Sequence, residues 1–217
     1  MSGSSANKTP RLLLFDLGNV LIHYDPIGPL TKLVPGTVDR ETITRRWASC
    51  EALRRLETGR CRPDEFAAAV VAEFDLRVTP RQFLANFALW DRGPMAGAIE
   101  LLRALRGRYR LACLSNNNAV HWGRLCSAFG VDREFDAAYL SHQIGVMKPD
   151  RRAYEHVLSV ERAPPQDIVF LDDNAENVDA ARAVGMSAFR CVGIDAARRR
   201  LDELLADTPV VTHGSGP

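Results

Sequence analysis

The chain has 217 residues, 46% hydrophobic and 25% charged, an ordinary globular composition with enough apolar material for one sizeable core and a smaller appended one. A net charge of +1, without a basic block or interleaved aromatics, gives no footprint for nucleic acid or an anionic membrane. No apolar run is long enough to span a bilayer and MSGSSANKTP lacks the apolar core of a signal peptide, so a cytoplasmic protein with neither partner is expected.

Residues 1–9 and 208–217 are expected to be flexible tails. Between them the chain opens with RLLLFDLGNVLIHYD, where Leu12 to Phe15 form the continuous apolar run of a strand buried on both faces of a parallel sheet. The run ends at Asp16, and Gly18 and Asn19 let the chain turn away behind it. From Asp25 to Gly93 the character is helical throughout: VDRETITRRWASCEALRRLETG, PDEFAAAVVAEFDL and PRQFLANFALWDR, the last two opening on a proline suited to a first helical turn.

From Pro94 the pattern alternates. PMAGAIELLRALRGR, NAVHWGRLCSAFG, PDRRAYEHVLSV, NAENVDAARAVG and IDAARRRLDELLA read as helices; YRLACLS, FDAAYLS, DIVFLDD and SAFRCVG read as strands. Such alternation implies a parallel sheet with right-handed crossovers and helices on both faces. The expected fold is therefore α/β: a doubly wound, three-layer, Rossmann-like core of residues 10–22 and 94–207, with an all-helical cap of residues 23–93 inserted after the first strand. The five cysteines are odd in number and show no CxxC spacing, which fits reduced, mostly buried thiols.

Three further strands end in polar residues: LACLSNNN at Ser115, YLSHQIGVMKP leading to Lys148, and IVFLDDNAEN at Asp172 and Asp173. In an open α/β sheet these ends converge with Asp16 in one crevice. Together they supply a carboxylate nucleophile, a hydroxyl beside backbone N–H groups, an ammonium and an acidic pair, the set needed for phosphoryl transfer through an aspartyl-phosphate.

The order FDLGNV, LSNNN, GVMKP, FLDDNAEN resembles the haloacid dehalogenase superfamily of hydrolases, and the fuller strings DLGNVLIHYD, LSNNNAVH and FLDDNAENVDAA look most like its alpha-glucose-1-phosphate phosphatase branch. The resemblance implies a phosphatase in which Asp16 is the nucleophile and Ser115, the Asn116 backbone N–H and Lys148 hold the phosphate. It also implies Mg²⁺, replaceable by Mn²⁺ or Co²⁺, on Asp16, Asp173 and the Gly18 carbonyl, with Asp172 and Asn177 in or just behind the ligand shell. The partner implied is a small phosphorylated metabolite, a sugar phosphate and preferably a sugar 1-phosphate, and the protein would be a monomer or homodimer.

One position departs from most phosphatases of this superfamily, which carry a second Asp two residues after the nucleophile; here it is Gly18. General acid–base help is typically worth about 10²- to 10⁴-fold, so its loss would favour substrates whose leaving oxygen is weakly basic, such as an anomeric or acyl phosphate. Asp25 is expected to cap a turn before Pro26. His156 reads as a helix-face residue, His121 as a group at the surface or just behind the site, and His142 as a loop-borne residue, with neither of the last two expected to touch the substrate. The cap is expected to act as a lid, with His23, Tyr24, Arg45, Arg46 and Trp47 as candidates for substrate contact. Two other readings stay open: a 2-haloacid dehalogenase, which the acidic pair Asp172–Asp173 disfavours, and a weakly active phosphometabolite-binding protein, for which only Gly18 speaks.

Overall fold

The structure, a computed structural model, describes residues 9–206, so the expected tails, apart from Thr9, lie outside the described residues. In chain order the elements are β1 (Leu12–Phe15) and β2 (Ile22–Tyr24), then α1 (Ile27–Leu33), α2 (Arg40–Ala48), α3 (Glu51–Glu57), α4 (Pro63–Glu73) and α5 (Pro80–Phe87). After them come β3 (Asp91–Pro94), α6 (Ala98–Leu105), β4 (Arg110–Ser115), α7 (Ala119–Phe129), β5 (Ala137–Leu140), α8 (Ser141–Ile144) and α9 (Arg151–Glu161). The chain closes with β6 (Ile168–Asp172), α10 (Ala175–Ala183), β7 (Ser187–Arg190) and α11 (Ile194–Leu205).

Five strands form a parallel sheet in the order β5-β4-β1-β6-β7. The continuous apolar run of β1 has a simple cause: successive side chains alternate between two covered faces. Leu13 and Phe15 pack with α6 and α11, through Leu101, Leu102, Ala197 and Leu201. Leu12 and Leu14 pack on the other face with α9 and α10, through Tyr154, Val157, Val178 and Ala181. The winding runs outward from β1 to β4 and β5, then returns to β6 and β7 on the opposite side. It therefore reverses between β1 and β6, and the crevice at their carboxyl ends is where such sheets bind ligands.

Residues 27–90 bury an apolar cluster of their own around Trp47, Phe66, Phe83, Phe87 and Trp90. Most of the aromatic pairs meet edge-to-face or tilted, with Phe66 and Phe87 centroids 4.9 Å apart and Phe87 and Trp90 5.1 Å apart, while Phe83 and Phe87 stack.

Three expectations for this region need correction. It is not purely helical: Asp91–Pro94, expected as the end of one helix, a link at Gly93 and the start of the next helix at Pro94, is β3 and pairs antiparallel with β2. The expected helix over 80–92 stops at Phe87, and Asn86 accepts a hydrogen bond from the Trp90 indole at 2.8 Å as the chain turns into the ribbon. The long helix expected over 38–59 is broken at Ser49–Cys50, where the Ser49 hydroxyl donates back to the Arg45 and Arg46 carbonyls and Cys50 is extended.

Candidate active site

Asp16 follows directly on β1 and Asp172 is the last residue of β6, so the two carboxylates face each other across the switch point. Lys148 bridges them: its Nζ lies 2.9 Å from Asp16 Oδ1 and 2.6 Å from Asp172 Oδ2. All three are buried. Burial opposes the charge on Lys148, but Asp16 and Asp172 outweigh it and hold the ammonium protonated, above its ordinary range.

The loop that carries Lys148 is fixed by the loop after β4. The Asn116 side chain donates to the Lys148 carbonyl at 2.9 Å and accepts from its N–H at 2.8 Å. Beside it, Asn117 N–H donates to the Ser141 hydroxyl, which donates back to the Asn117 carbonyl. Ser115 ends β4 and is not needed as a helix cap, because Asn118 accepts from Val120 and His121 N–H at the start of α7. Asn174 caps α10 in the same way, which leaves Asp173 uninvolved in capping.

Asp172 is saturated. Besides Lys148 it accepts from Asn174 N–H at 2.8 Å and from the Asn177 amide at 3.0 and 3.1 Å. Asp16 and Asp173 therefore keep the oxygens that face the crevice, whose wall they share with Gly18, Ser115 and Asn177. The three carboxylates bring one oxygen each within 4.8 Å of the others. Three carboxylates against one ammonium is an excess of negative charge. Burial, only partly offset by Lys148, pushes Asp16 up to about 6, and burial together with Asp172 raises Asp173. An all-oxygen donor set with uncompensated charge fits a hard divalent cation such as Mg²⁺.

The candidates from the insertion separate. Tyr24 borders the crevice, and burial raises its phenol, followed by Glu57 and Asp91. Trp47 reaches the site only indirectly, through a side-chain hydrogen bond to Tyr24, and is otherwise buried in the aromatic cluster. Arg46 is turned away: it donates to the Glu73 carbonyl at 2.7 Å and lies 4.4 Å over the Phe74 ring. Arg45 turns to its own helix, donating to the Thr42 hydroxyl at 3.3 Å. His23 is exposed and borders a different hollow, with Met95 and Gly193. Alternation along β2 is the reason, since it sends His23 and Tyr24 to opposite sides. Asp25 caps α1 as expected, accepting from Gly28 N–H at 3.0 Å.

His121 does not titrate for catalysis. Its Nε2 lies 2.7 Å from the Phe87 carbonyl and its Nδ1 3.2 Å from the Asn118 amide, and burial pushes it down to about 4. His142 donates to the Asn117 carbonyl at 3.0 Å and burial lowers it too. His156 stacks edge-on against Tyr139 on the face of α9.

Two residues were missed from sequence. Asn19, in left-handed conformation with φ 53°, hydrogen-bonds Asp173 through its side chain. Glu57 ends α3 and enters a second hollow that adjoins the first and shares Gly18, Tyr24, Ser115 and Asn116 with it. Burial, then Asp16, pushes its carboxyl up to about 7. A signal existed: an acid in the last turn of a helix opposes the macrodipole, and such local conflicts gather at functional sites.

Residues 10–185 match the haloacid dehalogenase-like hydrolase family. The D-ribitol-5-phosphate phosphatase of Bacteroides thetaiotaomicron is 23% identical over 189 residues, 82% of this chain and 90% of that one. The sesquiterpene phosphatase astK of Aspergillus oryzae is 30% identical over 182 residues, 82% and 88% of the two chains. Among solved structures, a family enzyme of Bacteroides thetaiotaomicron in complex with magnesium and inorganic phosphate superposes with a TM-score of 0.72 at 26% identity, covering 84% of this chain and 94% of the other.

Proposed function

Because the chain belongs to the haloacid dehalogenase-like hydrolases and is an enzyme of their phosphatase kind, we propose that it hydrolyses a small phosphorylated metabolite through an aspartyl-phosphate on Asp16. The observation that carries this reading is the Lys148 ammonium, held between Asp16 and Asp172 at the switch point beside Ser115. Two named relatives are phosphatases, and a similar structure holds magnesium with phosphate; both support the reading.

Asp16 attacks phosphorus in line, displacing the leaving oxygen. Lys148 keeps Asp16 aimed and, with its third N–H left to donate, pairs with a phosphate oxygen; the Ser115 hydroxyl and Asn116 N–H donate to the others. Asp172 acts one step back, fixing Lys148. Mg²⁺ on Asp16, Asp173 and the Gly18 carbonyl would supply the charge neutralisation that lets one anion approach another. Water then attacks the aspartyl-phosphate and returns Asp16.

We favour a sugar phosphate as substrate, with the 1-phosphate preferred over the 6-phosphate. Position 18 itself offers no proton to the leaving group, and an anomeric oxygen, a weaker base than a primary alcohol, departs more readily whichever group protonates it. The test is phosphate release from paired hexose 1- and 6-phosphates and from ribitol 5-phosphate, with Mg²⁺ and with chelator, using Asp16→Asn as blank. Metal-dependent release that vanishes in the blank is expected. Release undiminished in the blank would refute the nucleophile, and equal rates on paired substrates would refute the 1-phosphate preference.

A further inference from the structure

The glycine at position 18 leaves space as well as a missing carboxyl. A Cβ built there meets nothing within 4 Å, and Gly18 forms part of the wall of both hollows. The second hollow runs beneath the insertion and contains three groups able to carry protons besides Tyr24: Glu57, Asp91 and His121.

Three of these four are held by a partner or by their surroundings. One Asp91 oxygen is paired with Arg124 at 3.2 Å, which offsets part of the rise that burial gives its carboxyl, and its Oδ2 is buried without a hydrogen-bond partner among the described residues. His121 has both ring nitrogens occupied, by the Phe87 carbonyl and the Asn118 amide. The Tyr24 phenol is held protonated by burial and by the acids around it. Glu57 differs: among the described residues no donor or cation bears on its carboxyl, only burial and the charge of Asp16.

Its placement is fixed from behind. Gly59, two residues on and at φ 68°, packs so closely on α8 that a Cβ would run into the His142 carbonyl oxygen. That contact anchors the end of α3 to the loop that α8 shares with Lys148, so Glu57 is held in the hollow that adjoins the crevice while the insertion is docked.

We propose that Glu57, carried in by the insertion, is the general acid–base residue of the reaction, in place of the side chain absent at Gly18; the proposal rests on the phosphatase reading above. In the first half-reaction the Asp16 oxygen–phosphorus bond forms, the ester phosphorus–oxygen bond breaks, and the Glu57 proton passes to the departing oxygen. In the second, the Glu57 carboxylate takes a proton from water as the water oxygen attacks phosphorus; the Asp16–phosphorus bond breaks and both residues return to their starting states. Such a group is absent from the core and present only when the insertion is closed, which ties turnover to closure.

The experiment compares Glu57→Gln with wild type on 4-nitrophenyl phosphate, whose phenolate leaves without a proton, and on glucose 6-phosphate, whose alkoxide needs one. For the aryl ester, the first nitrophenol equivalent should be released within tenfold of the wild-type rate. Steady-state turnover should then fall about 10²- to 10⁴-fold, because nothing activates water and phospho-enzyme accumulates. On glucose 6-phosphate the first step itself should fall by a similar factor. Glu57→Asp should restore part of the loss, and Glu57→Ala should match Gln, which separates proton transfer from packing. Turnover of Glu57→Gln on glucose 6-phosphate within threefold of wild type overturns the proposal, as does an equal fall in the first step on both esters. If Asp16→Asn is inert, these failures leave the phosphatase reading standing; if wild type releases phosphate from neither ester, that reading falls first.

Discussion

His121 on α7 holds the Phe87 carbonyl at the end of α5 with its Nε2 at 2.7 Å, a buried hydrogen bond that joins the sheet core to the insertion. The ring also packs against Phe87, centroids 4.2 Å apart and planes tilted by 31°. As Nε2 donates and Nδ1 accepts from the Asn118 amide, the neutral ring fits and a second proton does not.

That arrangement predicts an acid-labile junction. Burial lowers His121 from 6.5 to about 4 in the folded protein, so the unfolded chain takes up the proton first as pH falls. Stability from this group is complete above pH 6.5 and is lost as pH falls toward 4, by up to roughly 3 kcal/mol. Denaturant midpoints between pH 7 and pH 4 should fall more steeply for wild type than for His121→Asn, which lacks the titrating ring. Parallel slopes would refute the assignment.

Lys148 neutralises two buried carboxylates at once, and its replacement leaves both exposed to each other. Lys148→Met should lower stability by about 3–5 kcal/mol in chelator, because breaking a buried pair strands the partner charge. Turnover should fall by at least about 10²-fold, as for loss of one preorganised donor. Added Mg²⁺ should raise the variant's melting temperature more than the wild type's, since the cation then screens charge that lysine no longer does. Equal Mg²⁺ shifts would mean that the cation does not sit among these carboxylates.

Asp172 and Asp173 are neighbours with different work, and their variants should separate. Asp173→Asn should weaken the melting-temperature shift produced by Mg²⁺, because Asp173 keeps an oxygen toward the crevice. Asp172→Asn should leave much of that shift while lowering turnover, because Asp172 is already filled by Lys148, Asn174 and Asn177. Identical Mg²⁺ titrations for the two variants would contradict the division.

Gly59 tests docking without touching the chemistry. Ala there is strained by its left-handed φ and meets the His142 carbonyl, a backbone group that cannot step aside. Gly59→Ala should lift α3 from α8 and cost turnover about 10²-fold, the typical effect of a misplacement of about 1 Å. The hydrogen-exchange rate of α3 should rise while that of β1 stays unchanged. Wild-type turnover in this variant would show that α3 need not lie against α8.

The core elements were legible because their signals are local. The four apolar residues of β1 and the strand ends at Ser115 and Asp172 announce a doubly wound sheet within a few residues each, and topology then brings them together. What depended on docking was hidden. Nothing local distinguishes Glu57 from other helical acids except its quarrel with the helix dipole, and Arg46 looks as available as any exposed arginine until Phe74 folds beneath it. The β2–β3 ribbon lay hidden for the same reason: its paired residues are about seventy positions apart in sequence, with Ile22 opposite Pro94.

Gly18→Asp is tolerated by the fold, because the site has room for the side chain it lacks. Nothing lies within 4 Å of a Cβ at this position, and its backbone is outside the left-handed region, so aspartate fits without strain. It would add a fourth carboxylate beside Asp16, Asp172 and Asp173, so its stability should depend on Mg²⁺ more than the wild type's does. If Glu57 supplies the proton, Gly18→Asp alone should change turnover of a hexose 6-phosphate little. In the Glu57→Gln background the same substitution should recover a tenfold or greater part of the loss. The two residues approach the same hollow from opposite sides, one from the core and one from the insertion. A double variant no faster than Glu57→Gln, though folded and still loaded by Mg²⁺, would mean that a carboxyl at 18 does not reach the leaving oxygen.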